Sequence, residues 1–371
     1  MAAVAVSTLG PQDVYEPELL HALERRLGER PVLLVGAIGS GSRQIARIVA
    51  QRAEMHVILS PGAAGGDYEA LVSDALRQIV LQIITKTAER LGVEQLDISR
   101  LMEDTTHAAQ VRLHLVNRFG PDTETVIAIS QGAPATGWHL EQALSLGALP
   151  EDSRVVLLEA HQLTPGSAMW ELRQIANEVP FQILLCTRPA HTAKLAGPES
   201  AVYGNVSTIK LSPSSIDRWA KVLTEHGRPL HPSDLEWLLH RTRGRPTTTI
   251  SVLERQEKPN SIRTTWHHAV RANVARADDV RRLAGAIHPY APRLLQAIVH
   301  GEPPYGVIAH ASSQRVARAL ARLRDLDLIE QPQPRRWEIA DPLLAAALAL
   351  RSEYDPQDGR RTPTWDTTQQ A

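Results

Sequence analysis

The stretch from Pro31 to Arg52 limits the fold more than any other part of the chain. Pro31-Val-Leu-Leu-Val35 is a short continuous apolar run, the pattern of a parallel strand buried on both faces. Gly36-Ala-Ile-Gly-Ser-Gly41 follows, and Ser42 to Arg52 then takes up helical spacing. A strand buried on both faces needs helices above and below its sheet. The glycines admit two readings. Either Gly36, Gly39 and Gly41 only make a tight strand-to-helix turn, or they let backbone N–H groups close around an anion at a helix N-terminus.

The pattern repeats. Apolar runs at His56 to Ser60, Val126 to Ile129, Val155 to Leu158 and Phe181 to Cys186 read as strands, and Val206 to Leu211 can supply a last one. Pro17 to Leu27, Tyr68 to Leu91, Trp138 to Leu146 and Ala168 to Asn177 read as helices. Strands alternating with helices predict an α/β fold with a parallel sheet. After Pro213 strands give way to helices: one starting at Ser214-Ser-Ile-Asp217 with Trp219, Val222 and Leu223 on its apolar side, then Pro232 to His240 and Pro246 to Arg255. Lys258 to Ser261 reads as a linker, followed by helices at Asp279 to Ile287, Pro292 to Val299 and Ser312 to Leu326. Leu328 to Glu330 and Trp337 to Ile339 then flank a small hairpin turn. The expected division is an α/β core over 1–212, a helical lid over 213–260, a winged helix over 261–354 and a disordered tail over 355–371.

Composition narrows the function. Forty Lys+Arg against 41 Asp+Glu give a net charge of −1, so a charged partner must be met locally. The single cysteine, Cys186, forbids an internal disulfide and a multi-cysteine zinc site, which fits a reducing compartment. The fifteen histidines, including adjacent His267 and His268, lack partners at metal spacing, so no metal is expected. The N-terminus lacks the features of a signal peptide, and Leu343 to Leu350 is too short to span a bilayer. A cytoplasmic protein with no membrane partner is the expectation.

A P-loop requires G-x-x-x-x-G-K-[ST], in which Lys bridges phosphates and the hydroxyl holds Mg²⁺. Gly36 and Gly41 have the spacing, but Ser42 stands where Lys is required and Arg43 where Ser/Thr is required. One step along a helix turns a side chain by about 100°, so Arg43 is no simple substitute. Backbone donors and the helix dipole survive the loss of Lys, so ATP or ADP stays open as a ligand. The strand Val155 to Leu158 ends in Glu159, where a nucleotide site needs acids for Mg²⁺ and water; only one acid is present.

Near the C-terminus, Arg315, Arg318 and Arg322 fall in a stripe about 60° wide beside the apolar face of the Ser312 to Leu326 helix. Arg335 and Arg336 lie at the expected wing tip. Such arginines can be a solvated face or can meet DNA phosphates.

Val155-Val-Leu-Leu-Glu-Ala-His161 resembles the second nucleotide motif of the AAA+ and STAND classes of P-loop ATPases. Phe181 to Arg188 resembles their next core strand, which implies that Thr187 or Arg188 senses a γ-phosphate. Arg243-Gly-Arg-Pro246 resembles the start of their lid helix, which implies a nucleotide contact from Arg245, and Ala319 to Leu344 is similar to their winged-helix end. The resemblance implies an α/β P-loop core, a helical lid and a winged helix. With the Lys, the Ser/Thr and one acid missing, the expected role is a catalytically impaired regulatory or scaffold subunit acting through a protein partner or self-assembly. The alternatives are a DNA-binding regulator and a slow ATPase using Glu159 and Arg43.

Overall fold

The computed structural model describes residues 9–51, 56–59, 154–157, 160, 182–198, 200, 203–256, 261–308 and 310–352, and single positions among 109–128. The expected helices at 68–91, 138–146 and 168–177, Glu159 and the tail from 355 lie outside the described residues. Elements are numbered among those described. The chain forms two compact units: one of residues 17–36 and 42–211, the other of residues 1–16, 37–41 and 212–371.

The first unit is built on a parallel sheet of β1 (Val32–Val35), β2 (His56–Leu59), β3 (Arg154–Leu157), β4 (Gln182–Thr187) and β5 (Ser207–Lys210). Their order is β2-β3-β4-β1-β5. β1 lies between β4 and β5 and is buried along its whole length, as a continuous apolar strand must be. α2 (Glu18–Leu27) buries Leu23 and Leu27, and α3 (Ser42–Gln51) buries Ile45, Ala46, Val49 and Ala50. The connection from β1 runs toward one edge of the sheet and that from β4 to the other, which creates a topological switch point at the β1 and β4 carboxyl ends. One strand expectation is corrected. Within 126–129, Ile127 and Ala128 are helical, with Ile127 buried. A four-residue apolar run is equally the inner face of a helix, and periodicity cannot separate the two.

The second unit opens with α1 (Pro11–Val14) and continues through α5 (Ile216–Glu225), α6 (Pro232–Thr242), α7 (Pro246–Leu253), α8 (Ile262–Ala272), α9 (Val274–Ile287), α10 (Ala291–Val299) and α11 (Ser313–Asp325). α4 (Thr192–Ala196) lies between β4 and β5 in the first unit. An antiparallel hairpin of β6 (Ile329–Gln333) and β7 (Arg336–Ile339) and α12 (Pro342–Ser352) complete the second unit. Hydroxyl caps start three of its helices: Ser215, Ser261 and Ser312 accept from the amides of Arg218, Thr264 and Arg315. Pro232 and Pro246 occupy first-turn positions, where a missing N–H costs nothing. The core gathers Trp219, Leu223, Leu238, Ile250, Trp266, Leu294, Leu320 and Leu344. The sequence reading left 262–278 unassigned, whereas α8 fills 262–272 and α9 starts at Val274 rather than Asp279.

A guanidinium fixes the N-terminal segment. Arg218 donates to the carbonyls of Asp13 (2.7 Å), Tyr15 (3.1 Å) and Val14 (3.4 Å), which close the end of α1. Trp219, beside it, is fully buried. Trp219→Ala should therefore destabilise this unit by about 3–5 kcal/mol, read as a lower urea midpoint by far-UV circular dichroism.

Candidate functional site

The glycine loop runs from β1 to α3. Gly36 belongs to the sheet unit, where its amide donates to the Thr187 carbonyl at 3.0 Å and joins the ends of β1 and β4. Thr187 is buried at the end of β4 and Arg188 follows it half-buried. Ser42 is buried at the start of α3, whereas Arg43 is exposed, the contrast expected of neighbouring helical positions.

Residues 37–41 belong to the helical unit, and their carbonyls are bonded there. Ile38 O accepts from Arg245 Nη1 at 3.0 Å, Gly39 O from the Thr247 amide at 2.8 Å, and Ser40 O from the Tyr15 hydroxyl at 2.7 Å. Burial pushes the Tyr15 phenol far up, so it stays protonated and donates. Gly39 and Gly41 both have φ of +83°. A Cβ on Gly39 would lie 2.2 Å from Thr248 Oγ1, and one on Gly41 would lie 2.5 Å from Pro11 Cβ. Both glycines thus serve a left-handed turn and a close approach of protein to the loop. Ser40 Oγ and Thr247 Oγ1 are buried without a hydrogen-bond partner among the described residues.

Arg245, the expected nucleotide contact, is buried at the N-cap of α7. Besides Ile38 O, its guanidinium donates to Ala340 O after β7 and to Glu330 Oε1 on β6. Arg243 lies two residues earlier with φ of 56°, and the Gly244 amide reaches back to Leu239 O at 2.7 Å to close α6. Its Nη1 meets Glu330 Oε1 at 2.9 Å, Ile339 O at 2.9 Å and Glu338 Oε2 at 3.1 Å. Burial lowers the Arg243 pKa, with Arg245 adding to the effect and the two carboxylates opposing it. The sequence reading missed Tyr15 and Thr247 as partners of the loop, and Arg243 and Glu330 as members of the network around Arg245. Their signal lay only in the Arg243-Gly-Arg-Pro246 segment, since Glu330 is 85 residues from Arg245.

On α11 and the β6–β7 hairpin, Arg315, Arg318, Arg322, Arg335 and Arg336 are all exposed. Arg322 donates to Ile287 O at 3.0 Å, and Arg336 Nε pairs with Glu338 Oε1 at 2.7 Å. Among the described residues no group of three or more His, Cys, Asp or Glu could hold a metal ion. None of the described helices is long and apolar enough to cross a membrane.

The interior β1, the glycine loop and the parallel order β2-β3-β4-β1-β5 define an α/β fold of the P-loop type, and the chain has a helical part besides. The solved structure that carries this comparison is the Walker-type ATPase of Pyrococcus abyssi, at a TM-score of 0.61 and 16% identity over 91% of this chain and 96% of that one. Also similar, at lower scores, are the Aeropyrum pernix ORC1 protein in complex with DNA (TM-score 0.41, 15% identity, 92% and 97% coverage) and the ADP form of ORC2 from the same organism (0.44, 11%, 93% and 99%). No family profile and no curated protein matches the chain. The P-loop-type α/β core expected from the sequence holds at the level of the fold.

Two variants test the geometry. Gly39→Ala meets both the positive φ and Thr248 Oγ1, and should cost about 1–3 kcal/mol; adding Thr248→Ala should recover the part due to the clash. Arg245→Ala leaves buried acceptors without their donor and should cost about 3–5 kcal/mol. Arg245→Lys should recover little of this, because one ammonium cannot reproduce the planar fork that reaches Ile38, Ala340 and Glu330. Urea denaturation reads both.

Proposed function

We propose that this chain is a catalytically impaired AAA+/STAND-like protein that acts as a regulatory or scaffold subunit through protein–protein contacts. The observation that carries the reading is the bonding of three successive loop carbonyls, Ile38, Gly39 and Ser40, to Arg245, Thr247 and Tyr15. A phosphate loop works by presenting N–H groups while remaining open to the ligand. Here Thr248 and Pro11 stand within van der Waals range of where side chains at Gly39 and Gly41 would begin. The position that requires Lys holds the buried Ser42, and the neighbouring cation, Arg43, is exposed. The chemistry that neutralises developing charge on a transferring phosphoryl group is thereby lost.

The test is calorimetric titration of the full chain with ATP and ADP, with and without Mg²⁺, followed by phosphate release on the same sample. The expected result is no turnover above buffer. Magnesium-dependent release that disappears in Arg43→Ala would overturn the reading in favour of the slow ATPase, with Arg43 as the substitute cation and Glu159 as the acid.

A second reading, DNA binding through the winged helix expected over 261–354, is supported by the exposure of Arg315, Arg318 and Arg335. It draws less from Arg322 and Arg336, which are already engaged by Ile287 O and Glu338. Under it, Arg315→Ala with Arg318→Ala should lower the salt dependence of duplex binding by about two phosphate contacts.

A further inference from the structure

The face shared by α6 and α8 gathers three arginines, Arg241, Arg263 and Arg271, around a tryptophan. On α8, Arg263, His267 and Arg271 recur every fourth residue, so they line one stripe of the helix. On α6, Trp237 and Arg241 have the same spacing, and α6 packs on α8. The Arg241 and Arg263 guanidiniums each lie 5.5 Å from the centroid of the Trp237 ring, one from each helix. Trp266 meets Trp237 edge to face at 6.3 Å and is itself buried, so the platform is held from below. Arg241, Arg263 and Arg271 are exposed, and none forms an ion pair with a described residue. His267 also has its pKa lowered by burial and by Arg271, Arg241 and His268, in that order. The guanidiniums acting on it come from both helices, Arg271 from α8 and Arg241 from α6.

A chain of net charge −1 gains nothing in solubility from gathering like charges on one face. Guanidiniums held against an indole ring are already ordered, and their outward N–H edges suit bidentate contact with phosphate oxygens. Arg263 and Arg271 stand about 12 Å apart along α8, with Arg241 facing from α6, a row that suits the regular charges of a nucleic-acid strand. Trp237 is occupied by arginines and reads no base, so contact here would be with backbone.

We propose that the α6–α8 face is a nucleic-acid backbone site, independent of base sequence and separate from the glycine loop and from the wing arginines. Its test uses the full chain and a fluorescein-labelled 20-base-pair duplex of arbitrary sequence, followed by anisotropy across a salt series without nucleotide. Its outcome is therefore independent of whether the core turns over ATP. Arg241→Ala/Arg263→Ala/Arg271→Ala should weaken binding at least about tenfold and reduce the log–log salt slope by about 2–3. The triple Lys variant, which loses the same stacking but keeps the charge, should retain most of the slope. Duplex should also raise the His267 pKa toward its ordinary value, read by its imidazole proton shifts. The proposal is overturned if the Ala variant binds as the parent does while Arg315→Ala/Arg318→Ala abolishes binding. It is overturned too if the Lys variant fails as badly as the Ala variant, or if poly-glutamate displaces the duplex as well as unlabelled duplex does, which would make the partner an acidic protein.

Discussion

A buried guanidinium is tolerable only when its donors are satisfied, and the helical unit is organised around satisfying Arg245. Its acceptors come from three distant places: Ile38 O in the glycine loop, Ala340 O after β7 and Glu330 on β6. Each contact fixes the element that supplies it. Glu330 in turn needs a second cation, which Arg243 provides from the left-handed position after α6. A non-glycine residue in that conformation carries a backbone cost of about 1–2 kcal/mol, and the contacts of Arg243 with Glu330, Glu338 and Ile339 O offset it. Gly244 is free to take positive φ and lets the chain turn directly into the N-cap of α7, which delivers Arg245.

The loop illustrates how one sequence pattern can serve two ends. Glycines with positive φ allow N–H groups to surround a phosphate, but they equally allow another segment to approach the backbone closely. At Gly39 and Gly41 the approach is made by Thr248 and Pro11, and the carbonyls between are held by Tyr15, Thr247 and Arg245. Under the proposed function, the P-loop geometry has been kept because it is now a structural joint. Loss of Lys from the position of Ser42 then removes no contact on which the helical unit depends. Retaining the glycines and losing the catalytic side chain are consistent, since the two answer to different constraints.

What could be read from the sequence follows from the range of each interaction. The five sheet strands and the glycine loop were legible because burial of a parallel strand on both faces leaves a continuous apolar run. The segment around Ile127 carries the same short run on a helix, and the pattern could not distinguish it. α8 was missed although Ile262, Trp266, Ala269 and Val270 keep helical spacing, because Arg263, His267, His268 and Arg271 between them dominate the composition. Arg245 was singled out from the sequence as a nucleotide contact, and its protein acceptors were not read. Ile38 lies 207 residues away and Ala340 lies 95, and no local pattern encodes a contact at that separation.

The arginines of this unit divide by what surrounds them rather than by their place in any motif. Arg218, Arg243 and Arg245 are consumed by carbonyls and carboxylates and hold elements together. Arg336 is drawn toward the same carboxylate, Glu338, that Arg243 uses. Arg241 and Arg263 meet the Trp237 indole instead, and Arg271 acts with Arg241 on His267. Glu330 and Glu338 are thus spent at the hairpin, whereas Arg241, Arg263 and Arg271 form no ion pair with a described residue, which under the proposed backbone site leaves them to set a local positive field. Such a field is screened within about 10 Å at 0.1 M salt, so it acts on a partner already close to the face. That range suits a polyanion laid along the two helices, because every added phosphate in contact releases counterions and adds affinity without any new side chain.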